Sequence, residues 1–255
     1  MQRKKINIFD SDISYIEEGE GSPLVILHGW GAYIETVMPM VNFLKENYKV
    51  YAYDAPGFGQ SDDPKKVLST KDYSDYLLEF LKKKNIDKAT FIGHSFGGKT
   101  LTIFAAEHPE FVDKLILVDA SGVLPKRGID YYFKVYSFKF LKFIYTKLNI
   151  FKNKEDRIKD FYSRFGSDDY KDSQGIMRKT FVKVVNESTL DYFPKIKAET
   201  LLIWGENDQD TPVYMAEVFE KEIKGSGLVV LKGAGHYSYL DDFYTFSKVV
   251  NSFLG

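Results

Sequence analysis

Six short runs along the chain are apolar without interruption and rich in Val, Ile and Leu. They are Leu24–Leu27, Val50–Tyr53, Thr90–Ile92, Leu115–Val118, Leu201–Trp204 and Leu228–Leu231, and each ends in turn residues. Continuous rather than alternating apolarity predicts strands buried on both faces, as in a parallel sheet. Between them, Tyr73–Lys84 carries Tyr73, Tyr76, Leu77, Phe80 and Leu81 at helical spacing. Phe96–His108, Val213–Ile223 and Phe243–Leu254 read the same way. Strand–helix alternation predicts βαβ units and a doubly wound α/β fold. Near the N-terminus, Ile6–Ile8 and Ile13–Tyr15 predict a polar-faced antiparallel pair at the edge of the sheet.

The alternation breaks between about Gly122 and Phe193. Tyr131–Phe151 is crowded with Tyr, Phe, Lys and Ile, and Gly175–Val185 has a helical pattern. An insertion of roughly 65–70 residues is too long for a simple connection. We expect a core domain formed by residues 1–122 and 190–255, interrupted by a helical cap over 123–189. Such a cap is either a helical pair packed on the domain or a lid over an active site.

Four strand ends carry candidate chemistry. The first, Thr90-Phe91-Ile92-Gly93-His94-Ser95-Phe96-Gly97-Gly98, holds Gly-x-Ser-x-Gly between a strand and a helix. A nucleophilic hydroxyl must stand clear of the sheet on a sharp, strained turn, where side chains two residues to either side would collide. The helix that follows points its N-terminal amides at any developing negative charge. The plain alternative is an ordinary glycine-rich turn. The second, Leu24-Val25-Ile26-Leu27-His28-Gly29-Trp30-Gly31, ends a strand in small residues. A tetrahedral oxyanion needs two backbone donors, and the N–H groups of Trp30 and Phe96 are the candidates. The side chain of His28 reads as a buried structural imidazole. Third, Trp204-Gly205-Glu206-Asn207-Asp208-Gln209-Asp210-Thr211-Pro212 puts an acid just past a buried strand, where it can orient a histidine. Fourth, Gly233-Ala234-Gly235-His236 lets an imidazole lean over the sheet edge.

With Tyr53-Asp54-Ala55-Pro56-Gly57-Phe58-Gly59-Gln60-Ser61 added, these segments make five motifs in a fixed order. In that order the chain resembles enzymes of the α/β-hydrolase fold along essentially its whole length. The resemblance implies a mostly parallel eight-stranded sheet with a cap inserted after the sixth strand. It also implies a Ser95, Asp208 and His236 triad in the chain order of that fold. The chemistry implied is acyl transfer to water, with no metal or organic cofactor and a small-molecule ester as substrate. Serine at the elbow disfavours dehalogenases and epoxide hydrolases, which carry Asp there. The elbow reads Gly-His-Ser rather than the Gly-Asn-Ser common in carbon–carbon bond hydrolases of the family, which leans toward esters. The same triad also serves carbon–carbon bond hydrolases and acyltransferases, and the same fold serves non-catalytic ligand-binding proteins.

Other polar residues read as structural. Asp119 competes with Asp208 as the acid, because some members of the fold place it after the sixth strand, but Asp119 also suits a local turn or cap. Asp210 falls off the spacing and reads as solvated. His94 reads as packing or hydrogen-bonding locally, His108 as exposed, and Lys99 as exposed or snorkelling. Asp54 reads as a loop brace, and Asp241-Asp242 as a charge pair at a helix N-terminus.

Bulk composition narrows the rest. The 255 residues include 35 Lys and Arg against 36 Asp and Glu, a net charge of −1. That balance argues against nucleic acid as the main partner. The absence of cysteine removes disulfides, thiolate metal sites and a cysteine nucleophile. No run approaches the roughly 20 apolar residues of a membrane span. The four histidines lack His-x-x-x-His spacing, so zinc has little support. The expected protein is cytoplasmic, with no membrane partner.

Overall fold

The computed structural model describes residues 2–125, 137, 140, 143–144 and 174–255. Eight strands form one sheet in the order β1-β2-β4-β3-β5-β6-β7-β8. They are β1 (Lys4–Ile8), β2 (Ser11–Glu18), β3 (Ser22–Leu27), β4 (Tyr48–Tyr53), β5 (Ala89–His94), β6 (Val112–Val118), β7 (Glu199–Gly205) and β8 (Ser226–Leu231). β1 and β2 pair antiparallel, and β2 joins β4 antiparallel. Every other neighbouring pair is parallel. The six apolar runs and the N-terminal pair are therefore all strands.

The central strands are buried on both faces, as their apolar runs require. Along β5, Phe91 packs on one side of the sheet and Ile92 on the other. Along β7, Leu202 and Trp204 face one layer while Leu201 and Ile203 face the opposite layer. Fully burying a side chain of this size contributes about 1.5–3 kcal/mol. β8 departs from the expectation. It is the edge strand, most of its residues are only partly covered, and Val230 is 40% exposed.

Helices cover both faces. On one side lie α1 (Ile34–Leu44) and the C-terminal α7 (Phe243–Leu254), which share a core cluster with Ile26, Ile92 and Ile203. On the other lie α2 (Thr70–Lys83), α3 (Phe96–Glu107) and α5 (Val213–Glu222), packed with Phe91, Leu117 and Trp204. A short α6 (Ser238–Asp241) precedes α7. α2 starts three residues before its first apolar position because Ser69 and Asp72 form a capping box. Such a cap contributes about 1 kcal/mol. α1 was not among the expected helices. It carries Pro39 in its interior, which removes one backbone donor and hides the period of Ile34, Val37, Met40, Val41 and Leu44.

Of the expected cap, α4 (Gly175–Val185) is the helix its pattern predicts. The aromatic stretch Tyr131–Phe151 lies almost wholly outside the described residues, so the 123–189 boundary is not drawn from this structure. No helix among the described residues is long and apolar enough to cross a membrane.

The chain runs from β3 to β4 on one side of β3, then returns to place β5 on the other. That reversal is a topological switch point, and ligands of open α/β sheets bind beyond the carboxyl ends of strands at such points. The His28–Gly31 loop leaves β3 there, and Ser95 leaves β5.

Candidate active site

Ser95 sits in the sharp turn from β5 to α3, with φ 50° and ψ −112°. A non-glycine residue pays strain for such a conformation, of the order of 1–3 kcal/mol. Its backbone is pinned in return: its N–H donates to Val118 O at 3.0 Å, and its carbonyl accepts from Lys99 N and Ser121 N. The flanking glycines are steric necessities. A Cβ at Gly93 would stand 2.6 Å from Gly98 N, and one at Gly97 would stand 2.5 Å from Leu27 O.

The hydroxyl of Ser95 lies 3.0 Å from His236 Nε2, and His236 Nδ1 lies 2.9 Å from Asp208 Oδ2. With the proton on Nδ1 directed at the carboxylate, Nε2 is free to accept from Ser95. The other oxygen of Asp208 accepts from the N–H groups of Asp210 and Thr211, and Thr211 Oγ1 donates to Oδ2 at 2.7 Å. Burial opposes the Asp208 carboxylate, but the bonds from His236 and Thr211 outweigh it and hold its pKa below the ordinary value. Burial likewise opposes the imidazolium of His236, yet the Asp208 hydrogen bond and charge raise its pKa. The structure thus brings together the three side chains singled out from the sequence, from loops after β5, β7 and β8.

Phe96 is the first residue of α3, so its amide is one of the helix's N-terminal donors without an intrahelical acceptor. Trp30 and Phe96 both line a cleft of about 330 Å3 that also contains Ser95 and His236. Apolar side chains make most of its walls, including Trp30, Phe181, Val184 and Met215. Trp30 packs edge-on against Phe96 and Phe58, with ring centres 5.2 and 4.8 Å apart, and tilts against Phe181 of α4 at 5.3 Å.

The competing acid takes another role. Asp119 is fully buried, and its oxygens accept from Gly205 N and Ser238 N at 2.8 and 3.0 Å. It ties the end of β7 to the segment after His236, and burial pushes its carboxyl up to about 7. Asp210 is exposed at the cleft. His28 is buried and structural: Nε2 accepts from Ala55 N, while Nδ1 donates to Gly29 O. Asp54 braces its loop, accepting from Ile34 N, Gln60 N and Arg3. Asp242 caps α7 through Thr245 N, while Asp241 accepts from Gly235 N in the histidine loop.

Two readings need correction and one residue is an addition. Lys99 is neither exposed nor snorkelling; it is 4% exposed inside α3 and lines the cleft. No local signal marked it, since α3 also carries Thr100, Thr102 and Glu107 and the carbonyls that hold Lys99 come from far along the chain. His108 is partly buried against Phe104 rather than exposed. Thr211 was not singled out, although its hydroxyl and amide both hold Asp208. His94 packs and hydrogen-bonds beside the nucleophile with a partner distant in sequence: Nε2 donates to the carbonyl of His236 at 2.7 Å, with the two rings 5.0 Å apart. Burial pushes His94 down to about 3, so it stays neutral beside an imidazolium.

Asp208, Asp210 and His236 form the group of possible metal-ligand atoms found among the described residues. Two of those atoms already bond each other, so a metal there would break the Asp208–His236 link.

The sequence pattern of the alpha/beta hydrolase fold family matches residues 22–243. The chain is 26% identical over 261 residues to a 2-hydroxy-6-oxononadienedioate/2-hydroxy-6-oxononatrienedioate hydrolase of Comamonas testosteroni, covering 93% of this chain and 89% of that protein. It is 28% identical over 269 residues to a 2-hydroxy-6-oxo-6-phenylhexa-2,4-dienoate hydrolase of Burkholderia cepacia, covering 93% of this chain and 89% of the relative. Its fold is similar to that of a bacterial membrane phospholipase A, with a TM-score of 0.78 at 23% identity, over 99% of this chain and 85% of the other. The chain belongs to the alpha/beta hydrolase fold family and is a hydrolase.

Proposed function

We propose that the protein is a serine hydrolase that cleaves a small or medium carboxylic ester through an acyl-enzyme. The observation that carries this reading is the hydrogen-bonded series Ser95, His236 and Asp208 at the floor of an apolar cleft. In the first step Ser95 Oγ attacks the ester carbonyl carbon while His236 Nε2 takes its proton. Asp208 holds the tautomer and stabilises the resulting imidazolium. The N–H groups of Trp30 and Phe96 receive the oxyanion, a role in which one donor contributes roughly 3–4 kcal/mol in a well-studied case. The imidazolium returns its proton to the leaving alkoxide. Water, activated by the neutral imidazole, then attacks the acyl-enzyme and releases the acid and Ser95. These steps draw only on this chain's own residues and water. The cleft volume lies at the lower end of the 300–1,000 Å3 range of small-molecule sites, which supports a compact acyl group.

A second reading is carbon–carbon bond hydrolysis by the same three residues. The two named relatives favour it, since both are named as hydrolases of 2-hydroxy-6-oxo acids with conjugated double bonds and match along most of their length. The elbow leans toward esters, because it reads Gly93-His94-Ser95 rather than the Gly-Asn-Ser common in carbon–carbon bond hydrolases of the family. The test is a comparison of kcat/KM on p-nitrophenyl esters of graded acyl length with kcat/KM on 2-hydroxy-6-oxo-6-phenylhexa-2,4-dienoate. Faster turnover of an ester, lost in Ser95→Ala, supports the first reading. Dienoate turnover above that of every ester replaces it with the second.

A further inference from the structure

Lys99 stands one helical turn after Ser95 on α3 and lines the same cleft, yet the triad chemistry does not use it. Its Nζ donates to the carbonyls of Val184 and Glu187, each at 2.6 Å. An ammonium has three donors, so these two carbonyls leave one unassigned. Among the described residues its hydrogen bonds go to carbonyls and none goes to a carboxylate. The charge of Glu187 favours the ammonium, but that carboxylate is itself occupied by the N–H and hydroxyl of Thr70. Burial pushes Lys99 down to about 8, against the pull of Glu187, and this still leaves it mostly charged at neutral pH.

A buried cation without a directly bonded anion is costly to maintain. An anion delivered by the substrate would offset that cost at the moment of binding. We propose that Lys99 recognises a carboxylate on the acyl portion of the substrate, so that the preferred substrates are monoesters of short dicarboxylic acids or acyl groups of equivalent shape. Lys99 and Ser95 line the same cleft, so a carboxylate held by Lys99 belongs to the same bound molecule as the carbonyl that Ser95 attacks. Asp210 also borders the cleft, but it is exposed and its repulsion is screened by solvent.

This inference rests on the ester reading, and the experiment separates the two. Wild-type protein is given monomethyl glutarate, the methyl ester of glutaric acid monoamide, and methyl valerate at neutral pH, with methanol release followed. The anionic ester is expected to show kcat/KM about tenfold or more above its neutral amide isostere, mainly through KM, as a charge-assisted contact requires. K99M is expected to abolish that ratio and K99R to retain most of it. A lysine that only clamps α4 to α3 gives a different result: K99M slows all three esters alike and leaves the ratio unchanged, which overturns the proposal. An anion-to-amide ratio near one in the wild type overturns it without any variant. If no ester is cleaved, the ester reading fails, and the carboxylate preference is read instead by calorimetry on Ser95→Ala. There, glutarate binding about tenfold tighter than its monoamide supports the role of Lys99, and equal binding overturns it.

Discussion

Substituting Asp208 by Asn changes few atoms and separates the roles of three acids. Asp208 accepts four hydrogen bonds: from the N–H groups of Asp210 and Thr211 at 2.8 and 2.9 Å, the Thr211 hydroxyl at 2.7 Å and His236 Nδ1 at 2.9 Å. Asn has one acceptor oxygen and one NH2 group. Keeping the oxygen on the two backbone donors turns the NH2 toward His236 Nδ1. The imidazole then favours the tautomer protonated on Nε2, which cannot accept the Ser95 proton. The equivalent change in another triad lowers kcat about 10⁴-fold. We expect roughly 10³–10⁴-fold here, or about 4–5.5 kcal/mol at 1.36 kcal/mol per decade. Asp119→Asn should act on stability instead. Its two oxygens each serve one buried N–H, so an amide leaves one of them facing a donor, at a cost of about 1–3 kcal/mol. Exposed Asp210→Asn should stay near wild type. The assay is p-nitrophenyl acetate turnover, paired with thermal melting to separate activity from folding. Loss of turnover in a well-folded Asp119→Asn protein, with Asp208→Asn near wild type, would refute the assignment of the acid.

Three further outcomes follow from the same geometry. Activity requires neutral His236, whose pKa is raised from 6.5 because the Asp208 bond and charge outweigh burial; kcat/KM should therefore rise with pH through a midpoint above 6.5, and a midpoint below 6.5 in the pH–rate profile contradicts this. Gly97→Ala places a Cβ 2.5 Å from Leu27 O and 2.7 Å from His28 O, so denaturant unfolding should report a loss of about 1–3 kcal/mol. Phe181→Ala removes a cleft wall that packs on Trp30 and should move the ester preference toward longer acyl chains, whereas an unchanged chain-length profile removes α4 from the acyl pocket.

The sheet was legible because its central strands are buried on both faces. Residues such as Phe91 and Ile92, or Ile203 and Trp204, must all be apolar when each side meets a helix layer. β8 read the same way in sequence but lies at the edge, since an apolar run does not say whether a further strand or helix covers it. α1 was hidden by Pro39, and the start of α2 by a polar capping box that no apolar period marks. The site was legible where function demands special residues at strand ends: the glycines about Ser95, the acid after β7 and the glycines before His236. Lys99 was not, because what buries it lies far along the chain, with its Val184 partner 85 residues away. The bond from His94 to the His236 carbonyl spans 142 residues and was likewise invisible locally.

The central claim is that Ser95 is the nucleophile, and covalent trapping tests it most directly. Purified protein is treated with a fluorophosphonate, its intact mass is measured and the adduct is mapped by peptide sequencing. One adduct on Ser95 is expected, formed in parallel with loss of ester turnover and absent from Ser95→Ala. An adduct on another residue, or wild-type ester turnover retained by a pure and folded Ser95→Ala protein, would contradict the claim.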